Sequence, residues 1–155
     1  MDDPQRQQGF TLIELVMVML IIGMLAAYAA ARWSPADSAV HAEAARLARD
    51  LRHTQALAMN RGQRLTFDLQ GGSGYRVTDA GAVIRDPASG EDLDRTFAPG
   101  VSRGGSCGDL DFDSLGRPVV GANLMAAACT YVLSGDSLSA TLTLNPVTGF
   151  VAVVP

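Results

Sequence analysis

From Phe10 to Ala31 the chain reads FTLIELVMVMLIIGMLAAYAAA, an apolar run whose only charge is Glu14. As an α-helix at 1.5 Å per residue this run reaches about 33 Å, enough to cross the hydrocarbon core of a bilayer. A carboxylate inside such a segment costs on the order of 2.5–3.5 kcal/mol on insertion scales, so it calls for a partner. Nothing else in the run can pair with it. A chain cut after Gly9 would carry a new α-amino group on Phe10, cationic below a pKa of about 8. Pairing within one chain is disfavoured, because Glu14 lies about a turn further along the helix. Two axially staggered neighbours could join one amine to the other's carboxylate, which makes the pair an assembly device. An ordinary secretory signal has an apolar core of about 7–15 residues after a basic start, and this run is longer with a more acidic leader. A plain membrane anchor has no need of Glu14.

The segment QQGFTLIELVMVMLIIGMLAA, residues 7–27, resembles the leader junction and membrane helix of type IV pilins and type II secretion pseudopilins. The resemblance implies that a membrane prepilin peptidase/methyltransferase cuts after Gly9 and methylates the new N-terminal Phe10. It implies that Glu14 registers neighbouring subunits in a filament, which favours a stacked position over the extreme tip. The implied organisation is a removed leader at 1–9, a transmembrane and filament-core helix at 10–33, an amphipathic stem helix at 34–62 and a periplasmic β-rich head at 63–155. The leader carries Asp2 and Asp3 beside Arg6, so its positive-inside signal is weak.

After Pro35 about 120 residues remain, enough for one compact domain. All 12 cationic side chains are arginine. Residues 10–64 hold six arginines against four acids, whereas residues 65–155 hold five arginines against ten acids. An acidic head disfavours phosphate-backbone binding as a main role.

Ser34-Pro35-Ala36-Asp37 supplies a capping residue, a proline for the first helical position and a first-turn acid, so a helix is predicted to start there. The proline disfavours helical geometry at Ser34 and predicts a kink near Pro35. Val40, Ala44, Leu47, Leu51, Thr54 and Ala58 then recur at spacings of three and four, one mostly apolar face with the arginines largely off it. Beyond Gly62 the period changes to two, in runs at 64–69, 75–79, 82–86, 110–113, 129–133, 138–144 and 150–154. The glycine, proline and Asx clusters between them, Gly104-Gly105 among them, read as turns. Helix first and strands later predicts an α+β fold, with an antiparallel sheet or two small ones covering the helix. Residues 45–67, 112–118 and 141–151 resemble the GspH/FimT group of minor pseudopilins and minor pilins.

If the head is exported, as the resemblance implies, the oxidising compartment makes a Cys107–Cys129 disulfide the default; two buried free thiols are the alternative. Asp109, Asp111 and Asp113 alternate with Leu110 and Phe112, so in a strand they share one face. They are weak calcium candidates, because the run lacks the glycine and distal glutamate of an EF-hand and a solvated face needs no ion. His41 and His53 lie on the stem helix away from any nucleophile motif, so no catalytic residues and no cofactor are expected. Some FimT-type pilins bind DNA through basic C-terminal residues, but residues 118–155 hold no Arg, Lys or His.

The expectation is a structural minor subunit of a type II secretion pseudopilus, acting in export across the outer membrane. The alternative is a FimT-like or MSHA-type minor pilin, with DNA binding as a further variant. Implied partners are other pilin or pseudopilin subunits, the peptidase/methyltransferase and the inner-membrane assembly platform, with the chain single-pass in the inner membrane. Mass analysis of membrane-extracted protein is expected to show a methylated Phe10 as first residue, and an intact Met1 start would contradict the leader junction.

Overall fold

The computed structural model describes residues 10–30 and 34–154. The predicted leader, including Gly9, lies outside the described residues, as do residues 31–33 beside the predicted kink. Contacts divide the chain into two units, Met1–Ser34 and Pro35–Pro155.

The first unit is α1, Leu12–Ala30. Its described side chains are exposed along its length, and Leu12–Ala29 is long and apolar enough to cross a membrane.

The second unit opens with α2, Pro35–Arg61, whose proline starts the helix where a missing N–H costs nothing. Gly62 follows with φ 63°, the left-handed geometry that ends a helix. Val40, Ala44, Leu47, Leu51, Thr54 and Ala58, the face set by the heptad-like spacing, are all fully buried. Each such leucine contributes on the order of 1.5–3 kcal/mol relative to exposure. Thr54 is tolerated among them because its hydroxyl donates back to the Asp50 carbonyl at 2.7 Å.

Eleven strands follow: β1 Leu65–Leu69, β2 Gly74–Asp79, β3 Ala82–Val83, β4 Asp94–Thr96, β5 Ser102–Gly105, β6 Leu110–Phe112, β7 Pro118–Val120, β8 Asn123–Leu124, β9 Cys129–Ser134, β10 Ser139–Leu144 and β11 Val151–Val154. They form two antiparallel sheets. The first has the order β3-β2-β1-β6-β7-β8 with β4 also paired to β2, and the second the order β11-β10-β9-β5. Both pack on α2. Leu65, Phe67, Val77 and Phe112 from the first and Tyr131, Leu133, Leu142, Leu144 and Val151 from the second enter one core with the helix. Phe67 and Tyr75 stack at 4.8 Å between centroids within it.

The strand pattern departs from expectation at short elements. The 82–86 run yields only Ala82–Val83, and β4, β5, β7 and β8 lack a period-two signal. Gly104-Gly105, read as a turn, lies in β5. A Cβ on Gly105 would meet the Thr130 carbonyl oxygen at 2.2 Å, so the glycine allows β5 to approach β9 closely. The remaining turns fall where expected. Gly116, at φ 76°, closes the β6–β7 hairpin, and the Asn145 side chain accepts from Val147 and Thr148 N–H in the β10–β11 turn.

Two ties hold the unit together across long sequence distances. Asp37, in the first turn of α2, accepts from the Ser137 hydroxyl and from the Ser137 and Leu138 amides in the β9–β10 connection. The Ser137 hydroxyl and these two amides hold its carboxyl well below the usual range, at about 2. Cys107, in the connection from β5 to β6, is bonded to Cys129 at the start of β9, pinning that connection to the second sheet. The loop is further stitched by Cys107 N–H to the Thr130 carbonyl at 3.0 Å and the Tyr131 hydroxyl to the Gly108 carbonyl at 3.2 Å.

Because the Asp37 pKa is lowered on folding, its stabilising contribution is fully present above the ordinary value of 3.8 and lost as pH falls through about 2. The melting temperature of Asp37→Asn is therefore expected to lie below that of the parent at neutral pH, with the gap closing between pH 4 and 2; a gap independent of pH would contradict the tie. Replacing both cysteines by serine opens a 22-residue link and is expected to cost about 3 kcal/mol in denaturant unfolding; an unchanged midpoint would contradict its structural role.

Candidate functional site

The start of α1 has a defined local geometry. Thr11 stands just before the helix. Its carbonyl accepts from the Glu14 and Leu15 amides at 3.1 and 3.2 Å, and its hydroxyl receives the Glu14 amide at 3.3 Å. Thr11 is therefore the helix cap, and Glu14 occupies the third helical position. A carboxylate there faces the positive end of the helix dipole, which typically favours it by 0.3–1 kcal/mol. Thr11-Leu12-Ile13-Glu14 carries the T-x-x-E capping signature in the sequence itself. The dipole offsets only part of the cost of a carboxylate in lipid. Phe10, Glu14, Leu15 and Val18 line a shallow recess at this end, with Phe10 82% exposed. Gly9, the first half of the predicted junction, lies outside the described residues.

The three calcium candidates are not brought together. Strand β6 covers only Leu110–Phe112, so Asp109 precedes it and Asp113 follows it. Asp109 accepts the Leu69 amide at 2.9 Å, and Asp111 pairs with Arg64 at 3.5 Å. Asp113 organises the hairpin, accepting the Leu115 and Arg117 amides and pairing with the Arg117 guanidinium at 2.8 Å. Burial pushes its carboxyl up, but these bonds from Arg117 and Leu115 outweigh it and hold the pKa below the usual value. Each carboxylate thus serves the fold separately. Among the described residues no group of three or more His, Cys, Asp or Glu could hold a metal ion.

Two arginines of α2, Arg46 and Arg49, line a cleft together with Asp50, His53, Asp86, Leu93 and Arg95. Its charges are largely matched internally. Arg46 pairs with Glu43 and donates to the Thr96 carbonyl, both at 2.7 Å. The Tyr75 hydroxyl donates to Asp50 at 2.7 Å, and burial together with that carboxylate pushes the phenol pKa up. His53 meets Asp86 at 3.2 Å; Asp86 is held below the usual carboxylate range chiefly by the Ala88 amide. His41 is exposed on the same helix. These contacts fasten α2 to β2, β4 and the loop at Asp86.

Two family models match this chain. Residues 4–30 match the prokaryotic N-terminal methylation motif, and residues 43–149 match the type II transport protein GspH. No curated protein sequence is similar enough to serve as a relative. Among solved structures, the type IV minor pilin FimU of Pseudomonas aeruginosa is similar in fold in two crystal forms. One gives a TM-score of 0.56 at 15% identity over 75% of this chain and 88% of that one. The other gives 0.55 at 14% identity over 74% and 92%. An apolar N-terminal helix, a second helix under antiparallel sheets, the methylation motif and a GspH match across most of the head converge: the chain belongs to the GspH family and is a pilin-like minor subunit with a pilin fold.

Proposed function

We propose that this chain is a structural subunit of a type II secretion pseudopilus, serving protein export across the outer membrane. The observation that carries the reading is the GspH match over residues 43–149 behind a methylation motif at 4–30. The precursor sits in the inner membrane by its apolar helix with the head in the periplasm. The prepilin peptidase/methyltransferase removes residues 1–9 and methylates Phe10. The assembly platform then moves the subunit from lipid into a filament, where its apolar helix packs on the helices of neighbours.

Glu14 supplies register in this scheme. In lipid its carboxylate is offset only by the helix dipole, whereas beside another subunit's N-terminal amine it gains a charge-assisted hydrogen bond. Leaving the bilayer for the wrong register keeps the carboxylate unpaired. The likeness to FimU favours a second reading, a minor pilin of a type IV pilus. The two differ in phenotype: deletion of a pseudopilus subunit leaves exported proteins in the periplasm, while deletion of a minor pilin removes surface pili.

Glu14→Ala is expected to be cleaved and methylated like the parent but to enter filaments about tenfold less, the effect of losing roughly 1.5 kcal/mol of pairing. Filament recovery equal to the parent's, measured by immunoblotting sheared filaments, would contradict the register role.

A further inference from the structure

The two sheets of the head differ sharply on their solvent sides. The first carries ion pairs there: Asp68 with Arg76 at 2.6 Å and Asp111 with Arg64 at 3.5 Å. The second carries none. Its register aligns Thr130 with Thr143 and Val132 with Thr141, and places Ala152 and Val154 opposite Thr143 and Thr141. These six residues alternate with the fully buried Tyr131, Leu133, Leu142, Leu144 and Val151, so they share the outward side. The other outward positions are Ser102, Gly104, Ser134 and Ser139. A four-stranded face therefore holds no charged side chain, in a chain of net charge −4. At its β11 edge Val154 is 56% exposed and Phe150, just before the strand, 62%.

We infer that this uncharged outer face, β5-β9-β10-β11, is where the head docks on the head of a neighbouring pilin-like subunit. The inference rests on the pseudopilus or pilus reading. Three arguments select that occupant. Strands β9, β10 and β11 hold no Arg, Lys or His, and Arg103 of β5 stands opposite the buried Leu133, on the inner side, and donates to the Cys107 carbonyl, so this face offers no cation to nucleic acid or anionic lipid. Depletion of charge with small flat side chains is the composition of an interface core, and it allows another sheet or loop to approach within about 10 Å. Residues 65–155 hold ten acids against five arginines, so a second acidic head meets least repulsion here.

Size decides what kind of contact this is. Four strands about 4.8 Å apart, two of six residues and two of four, give a face of roughly 300 Å². Two such faces bury about 600 Å², below the 1,200–2,000 Å² of stable complexes. The face adds to an attachment made elsewhere, such as helix packing in a filament, rather than holding a free dimer.

The test places a photocrosslinking amino acid at Thr141 of the full chain in its host, with Thr66 on the first sheet as control. Irradiation of sheared filaments is expected to join Thr141, and not Thr66, to a second pilin-like subunit identified by mass spectrometry from its methylated N-terminus. In parallel, a Thr141→Glu, Thr143→Glu variant is expected to enter filaments at least about tenfold less than the parent, while its melting temperature stays close to the parent's. Adducts to lipid or to an exported protein only, adducts equal at both positions, or unimpaired entry of the double variant would overturn the docking face. Absence of the parent chain from filaments would overturn both this inference and the function it rests on.

Discussion

The head depends on one helix having to serve two sheets. The apolar face of α2 from Val40 to Ala58 is fully buried, and both sheets pack on it. The first sheet supplies Leu65, Phe67 and Phe112, and the second supplies Tyr131, Leu133, Leu142 and Leu144. A small domain of this size buries only part of its apolar surface, so it gains from ties that limit the unfolded chain. The disulfide between Cys107 and Cys129 is such a tie. So is the Asp37 carboxylate, which fixes the start of the helix to the β9–β10 connection 100 residues later.

The division of labour between polar groups follows from that arrangement. Acids that stand out as possible ligands in the chain are instead spent on turns and strand ends: Asp113 on the β6–β7 hairpin, Asp109 on the Leu69 amide. Arginines of α2 are directed to carbonyls, with Arg52 reaching the Val151 carbonyl at 2.7 Å and Arg46 the Thr96 carbonyl.

Legibility in the sequence tracks the strength of periodic and covalent signals. The two helices and the longer strands were readable because burial of one face forces a regular spacing. The cysteine pair was readable through the exported setting that the family resemblance implies. Strands β4, β5, β7 and β8, of two to four residues, were not readable, since they are too short to show alternation and are held by their neighbours. Strand β5 is the clearest case: Ser102-Arg103-Gly104-Gly105 has the composition of a turn, but its glycines are demanded by the approach of the Thr130 carbonyl. The alternation of Asp109, Asp111 and Asp113 misled in the opposite way, because a strand of three residues cannot carry all three carboxylates on one face.

In the proposed assembly, Glu14 connects this head to its purpose. The Thr11 cap and the helix dipole make the carboxylate tolerable at the start of α1, and pairing with a second subunit would make it favourable. The most direct measurement is quantitative mass spectrometry of filaments sheared from the host, compared with the membrane fraction. The account predicts peptides of this chain, beginning at methylated Phe10, in the filament fraction at a few copies per filament. Recovery of the chain in the membrane fraction alone, from cells whose filaments are otherwise intact, would contradict it.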